Sequence, residues 1–164
     1  PDNDYRGFLK RRIPTLEAEV AGGDFVSVDG RFLGKHEGYP FYTVGQRKGL
    51  GIALGRPVFV TEIRKETNEV VLGEMPDLYK DGMVVQKLNL QKYGSIERPL
   101  DTTTKVRYKH DGAPATIVQD APDRITVSFH DAVSGIAPGQ AAVFYEEDDV
   151  IGGGWIMKSF RRDI

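Results

Sequence analysis

The sequence predicts a mostly β protein of the antiparallel barrel or sandwich class. Segments of four to eight residues with alternating apolar and polar side chains recur along the 164-residue chain, and this alternation is typical of half-buried strands. The 19 glycines and 9 prolines are frequent between these segments, where they favour turns. Almost no part of the chain has helical spacing, so short strands joined by turns dominate the prediction.

The one predicted helix lies near the start of the chain. Tyr5, Phe8, Leu9 and Arg12 follow one another at helical spacing. The acidic and amide residues at positions 2–4 are suitable N-caps, and Pro14 limits the helix at its other end. A helix this short needs a packing partner to be stable.

Strands follow from residue 24 onward. Asp29-Gly30 separates two apolar runs and predicts a hairpin whose two central residues both have positive φ. A domain boundary is predicted near residues 73–82, which are rich in glycine, proline and aspartate. The remaining predicted strands span residues 57–63, 69–72, 83–90, 103–110, 115–118, 124–129, 140–145 and 150–157.

Composition limits the possible functions. The formal net charge is −2, whereas a dedicated nucleic-acid-binding domain usually has a basic excess. Any RNA contact must therefore come from local basic clusters or from another domain of a longer parent protein. The chain has no cysteine, which excludes disulfides, thiolate metal sites and a cysteine nucleophile within it. No segment is apolar enough to span a bilayer, so the expected location is the cytoplasm, with no membrane partner.

The most unusual segment is glycine-rich and basic. Gly45, Gly49 and Gly51 surround Arg47 and Lys48, and such residues are suited to close backbone approach and phosphate contact. The alternative is a glycine-rich turn with solvated charges. The segment does not match a P-loop.

A second basic segment runs from Lys105 to His110. On a regular strand, Lys105, Arg107 and Lys109 would share one face and could follow a phosphate backbone, while Tyr108 could stack on a base. The alternative is an amphipathic strand with its lysines in water. Arg107 and Tyr108 would then point to opposite faces, unless a bulge or a strand end intervenes.

Three further features are weaker. Gln140 follows the turn residues Pro138 and Gly139, where an amide can contact a nucleotide or cap the turn. The three histidines have no second ligand at metal spacing, so structural roles are expected. The acidic run 146–149 is interpreted as a solvated turn rather than a metal site. No catalytic or metal-binding residue is predicted.

Several motifs together resemble a known family. Tyr42-Thr-Val-Gly-Gln-Arg-Lys-Gly-Leu-Gly-Ile52, Lys105-Val-Arg-Tyr108, Pro138-Gly-Gln-Ala-Ala-Val-Phe-Tyr145 and Gly152-Gly-Gly154 occur in the same order in tRNA-specific 2-thiouridylases. The resemblance covers nearly the whole chain. It implies a small central β domain with one short N-terminal helix, residues 1–76, followed by an antiparallel β barrel, residues 77–164.

The resemblance also implies an activity for a longer parent protein. In that family, an ATP-dependent transferase domain adenylates the wobble uridine of tRNA and replaces its oxygen with sulfur from a persulfide. ATP, with Mg, and the two catalytic cysteines belong to that domain, as does the sulfur-donor (persulfide carrier) protein that contacts it. The present chain is expected to hold no cofactor, to bind and position tRNA, and to be catalytically silent alone.

The resemblance assigns tRNA contact to Arg107, Tyr108 and Gln140. Arg47 and Lys48 are also predicted to contact tRNA, because of their charge and their position in the glycine-rich segment. Two other hypotheses remain at this point: a structural module that braces the catalytic domain of the same enzyme, and an unrelated β-barrel binding domain similar to those of translation factors.

Overall fold

A computed structural model describes residues 5–13, 15, 18 and 20–162. The chain divides into two compact units, Pro1–Asp77 and Leu78–Ile164; the sequence placed the division after Pro76. Each unit has its own cluster of buried apolar side chains.

The first unit contains the helix and a four-stranded sheet. Helix α1 spans Tyr5–Arg12. The predicted caps at positions 2–4 and the predicted stop at Pro14 lie outside the described residues. The strands are ordered β2-β1-β4-β3, and β1 and β4 are parallel, so this sheet is mixed rather than purely antiparallel. Its strands are β1 (Gly23–Ser27), β2 (Phe32–His36), β3 (Phe59–Arg64) and β4 (Glu69–Gly73).

The predicted hairpin joins β1 to β2, but its turn differs from the prediction. Only Gly30 of the two central residues has a positive φ, at 84°. Ser27 and Arg31 close the loop, with the Ser27 N–H donating to the Arg31 carbonyl at 2.8 Å. One residue more than a two-residue turn lies between them, so a single left-handed glycine is sufficient.

The second unit is a closed six-stranded barrel. Neighbouring strands are antiparallel in the order β10-β5-β8-β7-β6-β9, and β9 pairs with β10 to close it. Its interior is filled by fully buried side chains such as Met83, Ile117, Phe129 and Phe144. Closure leaves no free sheet edge. Its strands are β5 (Tyr79–Leu90), β6 (Leu100–Lys105), β7 (Ala113–Ala121), β8 (Arg124–Ser134), β9 (Ala141–Glu146) and β10 (Asp149–Phe160).

Strand β6 lies earlier in the chain than predicted. It ends at Lys105, whereas the predicted strand spanned residues 103–110. Two of its inward-facing residues are the buried Thr102 and Thr104, whose hydroxyls hydrogen-bond to each other at 2.9 Å. Because polar residues occupy these core positions, the strand lacks the expected apolar alternation. Because β6 ends at Lys105, the predicted row of Lys105, Arg107 and Lys109 on one strand face is wrong.

No helix within the described part of the chain has the length and hydrophobicity needed to cross a membrane.

Candidate nucleic-acid interface

Two connections meet at one end of the barrel. Residues 106–112 join β6 to β7, and residues 135–140 join β8 to β9. These four strands are neighbours in the order β8-β7-β6-β9 and all are antiparallel, so both connections emerge at the same end. We call this the arginine end. The opposite end, which we call the carboxylate end, is formed by residues 91–99, 122–123 and 147–148.

The connection 106–112 begins with an anchor and continues as a tight turn. Val106 is fully buried. The His110 N–H donates to the Arg107 carbonyl at 3.1 Å, which places Tyr108 and Lys109 at the corner of the turn. Tyr108 is 98% exposed. A phenol ring held in water on an anchored turn is free to stack on a planar ligand.

The side chain of Arg107 lies against the other connection. A Cβ added at Gly135 would be 2.6 Å from Nη1 of Arg107, and Gly135 has a φ of +76°. A larger residue here would take up a strained left-handed φ and would displace the guanidinium from this position. Among the described residues, Arg107 and Lys109 have no carboxylate within ion-pair distance, so both charges are available to an incoming anion.

The turn that carries Gln140 is held by its backbone. The Gly139 N–H donates to the Ile156 carbonyl at 2.8 Å, and the Ile156 N–H donates to the Gln140 carbonyl at 2.8 Å. These two bonds attach the turn to β10 and leave the exposed amide side chain of Gln140 available for an outside partner. The structure thus brings Arg107, Tyr108 and Gln140 to one barrel end.

His110 supports the turn rather than carrying chemistry. Its Nδ1 accepts the Gly112 N–H at 3.2 Å. Burial lowers the pKa of His110, and the nearby Arg107 charge lowers it further, against the opposing effect of Asp111. The ring is therefore neutral near pH 7 and acts as an acceptor. Within the described ranges, no three His, Asp or Glu side chains are grouped to hold a metal ion.

Arg47 and Lys48 lie in the other unit, on the glycine-rich loop 42–52. Both are exposed. The loop is braced from inside by Gln46: its Oε1 accepts the Thr43 N–H at 3.1 Å, and its Nε2 donates to the Lys48 carbonyl at 2.9 Å. The loop is therefore an ordered turn that presents two cations, a role for Gln46 that its place in the motif did not reveal.

The carboxylate end differs in how its charges are used. Lys92 Nζ lies 2.6 Å from Glu146 and 2.7 Å from Asp149, and the Tyr93 hydroxyl donates to Glu146 at 2.8 Å. These carboxylates raise the pKa of Lys92. The acidic run 146–149 is therefore more than a solvated turn, because two of its carboxylates hold a lysine.

Sequence reasoning missed Gly135 of the arginine end and predicted the wrong position for Lys109. Gly135 follows β8 without any motif, and only its contact with Arg107 shows its importance. Lys109 was assigned to a strand face, whereas it lies at a turn corner beside Tyr108. The end of β6 at Lys105 could not be predicted, because the buried threonines of that strand do not give the apolar alternation expected of a strand.

Two family models match adjacent parts of the chain. The tRNA methyl transferase PRC-barrel domain matches residues 6–74, and the aminomethyltransferase beta-barrel domain matches residues 80–156. The two matches fall within the two compact units.

Curated relatives match almost the whole chain. The tRNA-specific 2-thiouridylase MnmA of Amoebophilus asiaticus is 62% identical over 163 residues, 99% of this chain and 43% of that protein. Its namesake from Cytophaga hutchinsonii is also 62% identical, over 99% of this chain and 44% of the relative. The tRNA-specific 2-thiouridylase MnmA of Carboxydothermus hydrogenoformans is 46% identical, over 96% of this chain and 42% of that protein. The chain spans less than half the length of these relatives. It belongs to the tRNA-specific 2-thiouridylase family and corresponds to the central and C-terminal domains of its members.

Proposed function

We propose that this chain is the tRNA-binding and positioning part of an enzyme that exchanges oxygen for sulfur at position 2 of the wobble uridine. The names of its relatives supply the substrate class, uridine in tRNA. The family assignment also replaces the hypothesis of an unrelated barrel similar to those of translation factors.

The observation that carries the proposal is the convergence of three groups at the arginine end. Arg107 offers a guanidinium with no ion-pair partner among the described residues, Tyr108 an almost fully exposed ring, and Gln140 an exposed amide. A guanidinium binds phosphate, a ring stacks on a base, and an amide hydrogen-bonds base edges or sugar hydroxyls. These are the three kinds of contact that single-stranded and loop RNA requires. Arg47 and Lys48 add a further pair of phosphate contacts in the proposal.

The chemical steps are assigned to a part of the enzyme outside this chain. The chain contains no cysteine, so it cannot itself carry a persulfide or attack with a thiolate. ATP with Mg, the catalytic cysteines and the sulfur-donor protein are accordingly proposed for the rest of the enzyme. The chain alone is expected to form no 2-thiouridine, and its tRNA substrate implies a cytoplasmic location.

A salt series of tRNA binding tests the proposal. We expect Arg107→Ala to weaken binding by this chain about tenfold at low salt and to reduce the slope of log Kd against log salt by about one, because one phosphate contact is lost. The matched control is Arg124→Ala, which removes an exposed arginine from another part of the barrel, where it is paired with Asp120 at 2.7 Å.

The outcomes separate the proposal from its main competitor. Equal loss in both variants would indicate a general charge effect, and unchanged binding in both would remove Arg107 from the RNA contacts. In the full-length enzyme, unchanged tRNA affinity together with a lowered unfolding midpoint for Arg107→Ala would favour the bracing role instead.

A further inference from the structure

A shallow trough crosses the outer face of the barrel over β5, β10 and β9. Its volume is about 340 Å³, which lies within the range of small-ligand clefts. The floor is the glycine run of β10, residues 152–154. Because these residues have no side chains, the floor is bare backbone between two strands that do carry outward side chains.

The glycine run is required by the packing of the barrel. A Cβ at Gly152 would lie 2.5 Å from the Asn89 carbonyl oxygen, one at Gly153 would lie 2.4 Å from that of Ala142, and one at Gly154 would lie 2.6 Å from that of Gln86. Backbone oxygens cannot move aside as a flexible side chain could. The trough is therefore a permanent feature of the closed barrel.

The walls of the trough combine an aromatic face with polar groups. Trp155 is 50% exposed. Lys87 and Asn89 of β5 line the trough together with Gln91, which directly follows that strand, and Gln91 Nε2 donates to Asn89 Oδ1 at 2.7 Å. The backbone N–H of Lys87 is held by Asp123 at 3.1 Å, while its ammonium has no carboxylate within ion-pair distance among the described residues. An indole, two amides and a cation thus face one slot.

This chemistry favours a nucleotide over a peptide strand. Strand β10 is paired with β5 on one side and with β9 on the other, so the floor offers no free edge for an added β-strand. An exposed indole is a good surface for base stacking, and a lysine beside it can contact the adjoining phosphate.

The trough is continuous with the Gln140 turn. Trp155 pairs with Ala141, the residue after Gln140, and Ile156 exchanges two backbone hydrogen bonds with that turn. We propose that the trough binds an unpaired nucleotide of the RNA, with its base stacked on Trp155 and its phosphate on Lys87. This inference rests on the proposed function and extends the RNA path from the arginine end along β10.

The fluorescence of Trp155 gives a direct test, because it is the only tryptophan in the chain. We expect a short oligoadenylate and tRNA each to quench this fluorescence saturably, with inorganic phosphate leaving it unchanged. Because the emission comes from Trp155 alone, saturable quenching reports a change at the trough, and the phosphate control separates it from an effect of anion charge. Absence of saturable quenching while tRNA binds would overturn the inference.

Variants test the two contacts separately, with binding followed by anisotropy of end-labelled RNA. Trp155→Ala is expected to weaken oligoadenylate binding about tenfold, and Trp155→Phe to retain most of it. Lys87→Gln should weaken binding severalfold and reduce the salt slope by about one. Lys65→Gln, an exposed lysine on a turn of the first unit, is the matched control and should bind as the wild type does.

The outcomes distinguish this inference from the proposed function. If Arg107→Ala weakens tRNA binding and Trp155→Ala and Trp155→Phe do not, the trough is not an RNA site, although the proposed function stands. If the quenching persists in Arg107→Ala while tRNA affinity is unchanged by that variant, the trough site stands and the role of Arg107 fails. Quenching by unrelated peptides but not by RNA would overturn the inference in favour of a protein partner.

Discussion

The two ends of the barrel carry similar cations in opposite circumstances. At the arginine end, Arg107 and Lys109 project from a turn with no ion-pair partner among the described residues. At the carboxylate end, Lys92 is held by Glu146 and Asp149 at 2.6 and 2.7 Å. A phosphate that approaches Lys92 must compete with two carboxylates already in place, whereas one that approaches Arg107 competes only with water.

The difference shows that the net charge does not describe the local charge at each end of the barrel. The chain as a whole has a charge of −2, yet its surplus acidic groups include several at the carboxylate end. The connections at that end contain four acidic residues and two basic ones: Glu97, Asp123, Glu147 and Asp148, and Lys92 and Arg98. The arginine end has Arg107 and Lys109 against Asp111, whereas acidic residues outnumber basic ones in the connections of the carboxylate end, so a polyanion is expected to approach the arginine end more readily.

Reversal of charge at the arginine end should have the largest effect. Arg107→Glu combined with Lys109→Glu is expected to weaken tRNA binding at low salt about 100-fold, because two attractive contacts become repulsive. A filter-binding titration measures this loss. The matched control, Arg98→Glu combined with Arg124→Glu, reverses two arginines located elsewhere in the barrel and should change affinity less than a few-fold. Similar losses in both double variants would remove the distinction between the ends.

Gly135→Ala should give the next largest effect. The added Cβ would meet Nη1 of Arg107 at 2.6 Å and take up a φ of +76°, so we expect about a fivefold loss of tRNA affinity together with about 1 kcal/mol of stability. In an Arg107→Ala background the affinity loss should disappear while the stability loss remains. Binding and urea unfolding, measured on all four proteins, provide the double-mutant cycle; an affinity loss that persists without Arg107 would contradict this role for Gly135.

Release of Lys92 should have a small effect on binding. Glu146→Gln combined with Asp149→Asn removes both partners of the lysine, and we expect tRNA affinity to rise by less than about threefold, since the general repulsion decreases but no RNA-shaped site is created. Isothermal titration with tRNA measures the change. A gain as large as the loss in Arg107→Ala would show that any free cation on this barrel serves equally well.

The smallest expected effect is a difference between the two barrel ends in how their contribution to stability depends on pH. Burial lowers the pKa of His110 from its ordinary 6.5, so the stability it contributes is complete above pH 6.5 and is lost as the pH falls through its folded value. The Lys92 contact lowers the pKa of Glu146 from 4.5, so its contribution is lost only in more acidic solution. Urea midpoints measured against pH give the test. In His110→Gln, the decrease in midpoint just below pH 6.5 should disappear. In Glu146→Gln, the decrease in more acidic solution should disappear.

Much of the fold could be predicted because most strands bury apolar side chains at every second position. The mixed pairing of the first sheet could not, since β1 and β4 are parallel neighbours and no local pattern reports which distant strands meet. Strand β6 was misplaced because Thr102 and Thr104 occupy its core positions. Interior threonines satisfy each other's hydroxyls, and they look like surface residues in a sequence.

The candidate site shows a similar division. Arg107, Tyr108 and Gln140 were identified by family resemblance, whereas their position at one end of the barrel depends on strand order and on where β6 ends. The trough had a local signal, three glycines followed by a tryptophan within a strand, but the glycines contributed only to the family resemblance. Glycine inside a strand often marks a place where another group approaches the backbone closely.

The closed barrel also begins and finishes at the same place. Phe160, at the end of β10, pairs with Gly82 near the start of β5, and Arg161 Nε donates to the Tyr79 carbonyl at 3.1 Å. Adjacent termini allow a domain to be inserted into a host loop or to be circularly permuted. New termini at residues 147–148, with a short linker joining the end of β10 to the start of β5, would leave every strand of the barrel and both connections of the arginine end intact. The barrel could therefore be inserted as one unit into a loop of a host protein.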